Sequence, residues 1–166
     1  MPLDEKQKTE LYKLYRLYSM DFDMAIRTLA VLKRYPKSSN RYRLLQEIRY
    51  SLLRDAVVSY ARPFSGNRGV LFKSHSLPLK LVPREFRQLH SQLMTLRSQL
   101  FAHTDLSYRN PKVMQLGRLF PISVRAFDYE SLNDEVCKLY KLISEAQHNL
   151  NLEIERLEAE HLSMSR

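Results

Sequence analysis

The sequence predicts an all-α fold, a four-helix bundle of the up-and-down type with two long irregular connections. Three observations carry this expectation. Apolar side chains recur at helical spacing through four long segments. The three glycines of the chain, Gly66, Gly69 and Gly117, all fall between those segments, which also argues against a turn-rich β-sandwich. The 166 residues, 44% hydrophobic and 27% charged, suit one soluble domain spanning 1–166.

The first helix is expected over Asp4–Tyr35, where Leu11, Leu14, Tyr18, Phe22, Ala25, Leu29 and Leu32 share a face. Pro36 cannot continue it, and Lys37-Ser-Ser-Asn40 supplies capping residues for the next. The second helix is expected over Asn40–Ala61, with Leu45, Ile48, Leu52, Ala56 and Tyr60 on its apolar face, and Pro63 stops it.

Pro63 to Pro83 holds three prolines, two glycines and the run Phe64-Ser-Gly-Asn-Arg-Gly69. A connection of about twenty residues is long for a compact fold, which points to an ordered or functional loop. The third helix begins near Pro83, a favourable first-turn residue, and continues to about His103. Residues Thr104–Phe127 are irregular, broken by Asn110-Pro111, Gly117 and Pro121, and their pattern is compatible with a short hairpin near 113–126. The last helix, Asp128–Leu162, carries Leu132, Val136, Leu139, Ile143, Ala146 and Leu150 in a 4-3-4-3-4 spacing, a coiled-coil-like seam. It would be about 50 Å long, and a helix that outreaches its bundle suggests a homodimer.

Charge is unevenly distributed. Residues 1–103 hold 19 basic and 8 acidic side chains (net +11), and residues 104–166 hold 8 and 10 (net −2), which sums to +9. A basic first portion suits a polyanion such as RNA, or else it is balanced by the acidic last helix of the same bundle or of a partner subunit. The N-terminal Met1-Pro-Leu-Asp-Glu-Lys-Gln-Lys8 lacks an apolar signal core, and no window reaches the roughly 18 apolar residues of a membrane span, so a cytoplasmic location without membrane attachment is expected. Cys137, the single cysteine, excludes an internal disulfide and a cysteine-based zinc site, and beside Val136 it reads as a small buried hydrophobe.

Several motifs suggest chemistry and fall short. Glu145-Ala-Gln-His148 and Glu158-Ala-Glu-His161 have the spacing of di-iron ligands, but both lie on one helix, roughly 20 Å apart. A solvated face fits them better, and no metal or cofactor is expected. Gly66-Asn-Arg-Gly69 lacks the Gly-Lys-Ser/Thr ending of a phosphate loop.

The run Leu96-Arg-Ser-Gln-Leu-Phe-Ala-His-Thr-Asp105 is more informative. The third helix has a seam of Phe86, Leu89, Leu93, Leu96 and Leu100, which His103 continues. A second stripe of His90, Met94, Arg97 and Phe101 runs beside it. Arg97 and His103 are about 9 Å apart along the axis and about 120° around it, so the length of the arginine, a distorted helix end or a second chain must bring them together. The helix dipole and Asp105 both favour protonated His103. A histidine poised near neutral pH beside a guanidinium suits phosphodiester chemistry. A C-terminal histidine cap with an Arg97–Asp105 or interhelical ion pair is the purely structural alternative.

At these residues the chain resembles the HEPN superfamily, small helical bundles widespread in prokaryotic defence and toxin systems. The family signature is an Arg, usually followed by a polar residue, and then a His late in a helix. Arg97-Ser-Gln-Leu-Phe-Ala-His103 fits it, and the wider run His90-x-x-Leu-x-x-Leu-Arg-x-x-x-Phe-Ala-His-x-Asp105 and Arg62-Pro-Phe64 extend the likeness. The resemblance implies a metal-independent endoribonuclease in a toxin–antitoxin or defence setting. His103 would act as general acid/base and Arg97 would stabilise the phosphorane, in a site shared across a homodimer. Arg62, Asn67 and Asp105 are the supporting, phosphate-binding candidates. Ser98 stands where the family commonly has Asn, and some members are noncatalytic. A helical interaction or regulatory module that binds a protein partner or nucleic acid is therefore the second expectation.

Overall fold

The computed structural model describes residues 3–35, 43–101, 112–113, 122–123, 132 and 134–164. Among the described residues it is an all-α helical bundle of four helices: α1 (Glu5–Leu32), α2 (Arg43–Ala61), α3 (Arg87–Leu96) and α4 (Val136–Met164). Helix α1 packs against both α2 and α4, while α3 lies on α2.

Helix α1 starts where the sequence places its cap. The Asp4 carboxylate accepts from Gln7 N at 2.8 Å, and the Gln7 amide oxygen accepts from Asp4 N at 3.1 Å. This capping box satisfies two of the four free amides of the first turn and contributes about 1 kcal/mol. The buried face is Leu14, Tyr18, Phe22, Ala25, Leu29 and Leu32, as the periodicity predicts, with Leu11 only half-buried. On α4 the whole predicted seam is buried, and Leu142 and Ile154 join it. Leu132 and Val136, at the start of that seam, are buried too.

Helix α2 departs from the expected register. Leu45, Ile48 and Leu52 are only half-buried, whereas Arg49, Leu53, Ala56, Val57 and Tyr60 face the core. Arg49 explains the shift. Its guanidinium donates to the carbonyls of Leu32 and Tyr35, so a charged side chain closes the C-terminal end of α1 from inside the core face. Cys137 also corrects the expectation: it is exposed, because Val136 and Leu139 take the inward positions and the cysteine falls about 100° away from Val136.

The 63–86 connection is ordered. Leu77 N donates to Pro63 O at 2.8 Å, closing its base. Two short 3-10 turns, Leu79–Leu81 and Arg84–Phe86, lead into α3, and Leu77, Leu81 and Val82 are buried in the same hydrophobic cluster as the helices. Asn149 of α4 donates to Leu81 O at 2.9 Å, and Lys80 pairs with Glu153 at 2.9 Å. Near the expected hairpin, β1 (Lys112–Val113) and β2 (Ile122–Ser123) pair antiparallel, Lys112 opposite Ser123 and Val113 opposite Ile122.

Candidate functional site at the end of helix α3

The third helix does not run on regularly toward the expected end at His103. At Arg97 it opens into a π-turn, Arg97–Phe101. Side-chain hydroxyls compete for carbonyls at this point. Thr95 Oγ1 donates to Ser91 O at 3.0 Å and Ser98 Oγ to Thr95 O at 3.0 Å, while the Arg97 amide is shared between Leu93 O and Met94 O. Such back-bonding loosens the regular ladder, and π-turns concentrate at functional positions.

The side chain at this turn is incompletely satisfied. Arg97 Nε is buried and has no hydrogen-bond partner among the described residues. A buried guanidinium N–H without an acceptor is costly.

One heptad earlier, on the same stripe, His90 is buried at 8% exposure. Its Nδ1 is 2.8 Å from the Tyr60 hydroxyl. Burial holds the Tyr60 hydroxyl far above the ordinary tyrosine range, so it stays protonated. With no other acceptor for it among the described residues, that hydroxyl donates to Nδ1. Burial also pushes His90 below its ordinary value, so the ring is neutral with its proton on Nε2. Phe64 closes the arrangement edge-on to His90, with ring centroids 4.7 Å apart. The Arg62-Pro-Phe64 segment and the α3 stripe, separate in sequence, thus meet through Phe64, Tyr60 and His90.

Arg62 itself is engaged elsewhere. Its guanidinium pairs with Asp21 of α1 at 3.3 Å. Burial raises the Asp21 carboxyl above its usual range, against the opposing pull of Arg62. Asn67, expected to support phosphate, spends its amide on the loop: Nδ2 donates to Arg62 O at 2.8 Å and Ser65 O at 2.7 Å. His103 and Asp105, the remaining candidates, lie outside the described residues.

A second cluster was not visible in the sequence. Tyr18, assigned only to the core, stacks on His75 with centroids 5.8 Å apart and places its hydroxyl 3.3 Å from His75 Nδ1. Tyr15 and Phe72 wall the imidazole, and burial depresses its pKa. Fifty-seven residues separate Tyr18 and His75, so no local spacing could announce the pair.

Of the two Glu-x-x-His units of α4, the side chain of His161 lies outside the described residues. Glu145 and His148 are exposed, and Glu158 accepts from the Tyr12 hydroxyl at 2.8 Å. Among the described residues no cluster of three or more His, Cys, Asp or Glu is placed to hold a metal ion, and no helix is long and apolar enough to cross a membrane. No protein-family model matches the chain, and neither a curated protein nor a solved structure matches it.

Proposed function

We propose that the chain is a metal-independent endoribonuclease of HEPN type, using Arg97 and His103 on the scissile phosphodiester of RNA. The observation that supports this reading is the buried Nε of Arg97, without a hydrogen-bond partner among the described residues, at a π-turn inside the run that matches the family signature. The guanidinium presents two parallel N–H groups to nonbridging phosphate oxygens, whose charge grows as the phosphorane forms. His103 takes the proton of the attacking 2′-hydroxyl, and a histidine returns one to the departing 5′-oxygen. Strand cleavage then leaves a 2′,3′-cyclic phosphate. Two copies of the chain supply the pair of histidines this needs, so the active form is a homodimer, and a toxin–antitoxin or defence role follows from the family likeness.

The test is cleavage of RNA by the purified chain in EDTA. Arg97→Ala and His103→Ala should each abolish it while the far-ultraviolet circular dichroism stays native. Cleavage that survives His103→Ala would overturn the mechanism.

A noncatalytic interaction module is the second reading, and one observation favours it. On α1, outside the buried face, Leu17, Met20, Met24 and Val31 form an exposed row at 3-, 4- and 7-residue steps, Met20 being 63% exposed. Such a row suits a partner helix. A stable heteromeric complex without any nuclease activity would select this reading.

A further inference from the structure

The 63–78 loop holds an unusual tip. Asn67 and His75 pair through both backbone hydrogen bonds at 2.8 Å, and Gly69 N donates to Phe72 O at 2.9 Å, so the tip folds back as a small hairpin. Helix α1 clamps it from below. The Glu10 carboxylate accepts from Leu71 N through both oxygens, at 2.8 and 3.0 Å, and from Phe72 N at 3.2 Å. Gly69 sits so close to this carboxylate that an added Cβ would lie 2.2 Å from Oε1, so only glycine fits here without displacing the clamp.

This construction holds Val70 at 95% exposure and Leu71 at 50%. A loop fixed at its base and its tip, presenting aliphatic side chains to water, has the form of a preorganised recognition element. The surroundings are cationic. Arg68 and Lys73 flank the tip and are exposed, and Lys6 and Lys13 of α1 border the groove beside Val70 and Leu71. Two carboxylates line the same groove and both are occupied: Glu10 by the loop amides, and Glu5 by Lys8 at 3.0 Å.

We infer that the 67–75 tip, with Lys6 and Lys13, is a binding surface for the phosphate backbone of an RNA strand, with Val70 and Leu71 resting on sugar or base edges. The inference rests on the RNA reading of the preceding section and adds the surface that holds the substrate. The cations of the groove and the tip, Lys6, Lys13, Arg68 and Lys73, outnumber the carboxylates Glu5 and Glu10 beside them, which suits a strand that carries a charge at every nucleotide, and release of its counterions drives association. An anionic membrane fits less well. Two aliphatic side chains supply little apolar area, and even a single myristoyl chain holds a protein on a bilayer only marginally.

The experiment measures binding of a short single-stranded 2′-O-methyl RNA, which lacks the attacking hydroxyl, across a salt series. Arg68→Glu/Lys73→Glu should weaken binding about tenfold at moderate salt and lower the slope of log K against log salt by about 1.4, two contacts at roughly 0.7 each. Arg27→Glu/Arg54→Glu, which makes the same change of charge at exposed positions elsewhere, should leave the slope unchanged. Val70→Ser should weaken binding without altering the slope. Equal losses in both charge-reversal variants, or no loss in either, would overturn the inference, as would binding to phosphatidylserine vesicles that needs Arg68 and Lys73 while RNA binding does not. The two proposals fail separately. Tip-dependent RNA binding with no cleavage in EDTA refutes the nuclease alone, and His103-dependent cleavage with tip-independent binding refutes the surface alone.

Discussion

Tyr60→Phe tests the buried contact that ties α2 to the candidate helix. The substitution keeps the ring and its packing against Phe22 and Phe64 but deletes the hydroxyl 2.8 Å from His90 Nδ1. His90 is only 8% exposed, so its acceptor nitrogen is left without a partner and with little access to water. Leaving a buried polar group unsatisfied costs about 1–3 kcal/mol, more than the net value of a typical hydrogen bond. With a urea slope of about 2 kcal/mol per molar, the unfolding midpoint should fall by about 0.5–1.5 M. The double variant Tyr60→Phe/His90→Leu removes both polar partners and should recover part of that loss, which a double-mutant cycle reports as coupling. A Tyr60→Phe change within about 0.5 kcal/mol of the parent, together with simple additivity in the cycle, would refute the reasoning.

His75 and His90 are both held below their ordinary 6.5 by burial, so the unfolded chain binds their protons more readily. Their contribution to stability is therefore complete above about pH 6.5 and is lost as pH falls toward the depressed folded values; urea midpoints flat or rising from about pH 7 to pH 5 would contradict this. Asp21, raised above its ordinary 3.8, works in the opposite sense at lower pH. Arg49→Ala should cost about 2–3 kcal/mol by stranding the carbonyls at the end of α1, and a loss under about 0.5 kcal/mol in chemical denaturation would argue against that role. Cys137 is exposed and should react with a thiol reagent in native buffer; protection until denaturant is added would contradict its outward position.

The parts of the fold that could be read in advance are those where local chemistry and packing agree. The Asp4 cap, the α1 face and the α4 seam each use residue types whose preference matches their place, so spacing alone locates them. The α2 register was obscured by Arg49, a charged residue in a core position because it closes a neighbouring helix end. No window of α2 by itself contains that reason. Cys137 is exposed, against the burial expected from its place beside Val136, because the seam of Val136 and Leu139 turns the residue between them outward. At the candidate site, Arg97 and the α3 stripe were legible as a pattern. Tyr60 and Phe64 closing on His90, Asp21 holding Arg62 and Glu10 clamping the loop tip arise from chain crossings tens of residues apart. The π-turn likewise depends on hydroxyl-to-carbonyl bonds, although the Thr95 and Ser98 side chains that make them stand in the sequence.

The most direct test of the central claim is the fate of RNA incubated with the purified chain in EDTA, with end groups identified by mass spectrometry. The account predicts fragments ending in a 2′,3′-cyclic phosphate, formed by the parent and lost in both Arg97→Ala and His103→Ala. Intact RNA with the parent chain, or the same fragments from either variant, would contradict it.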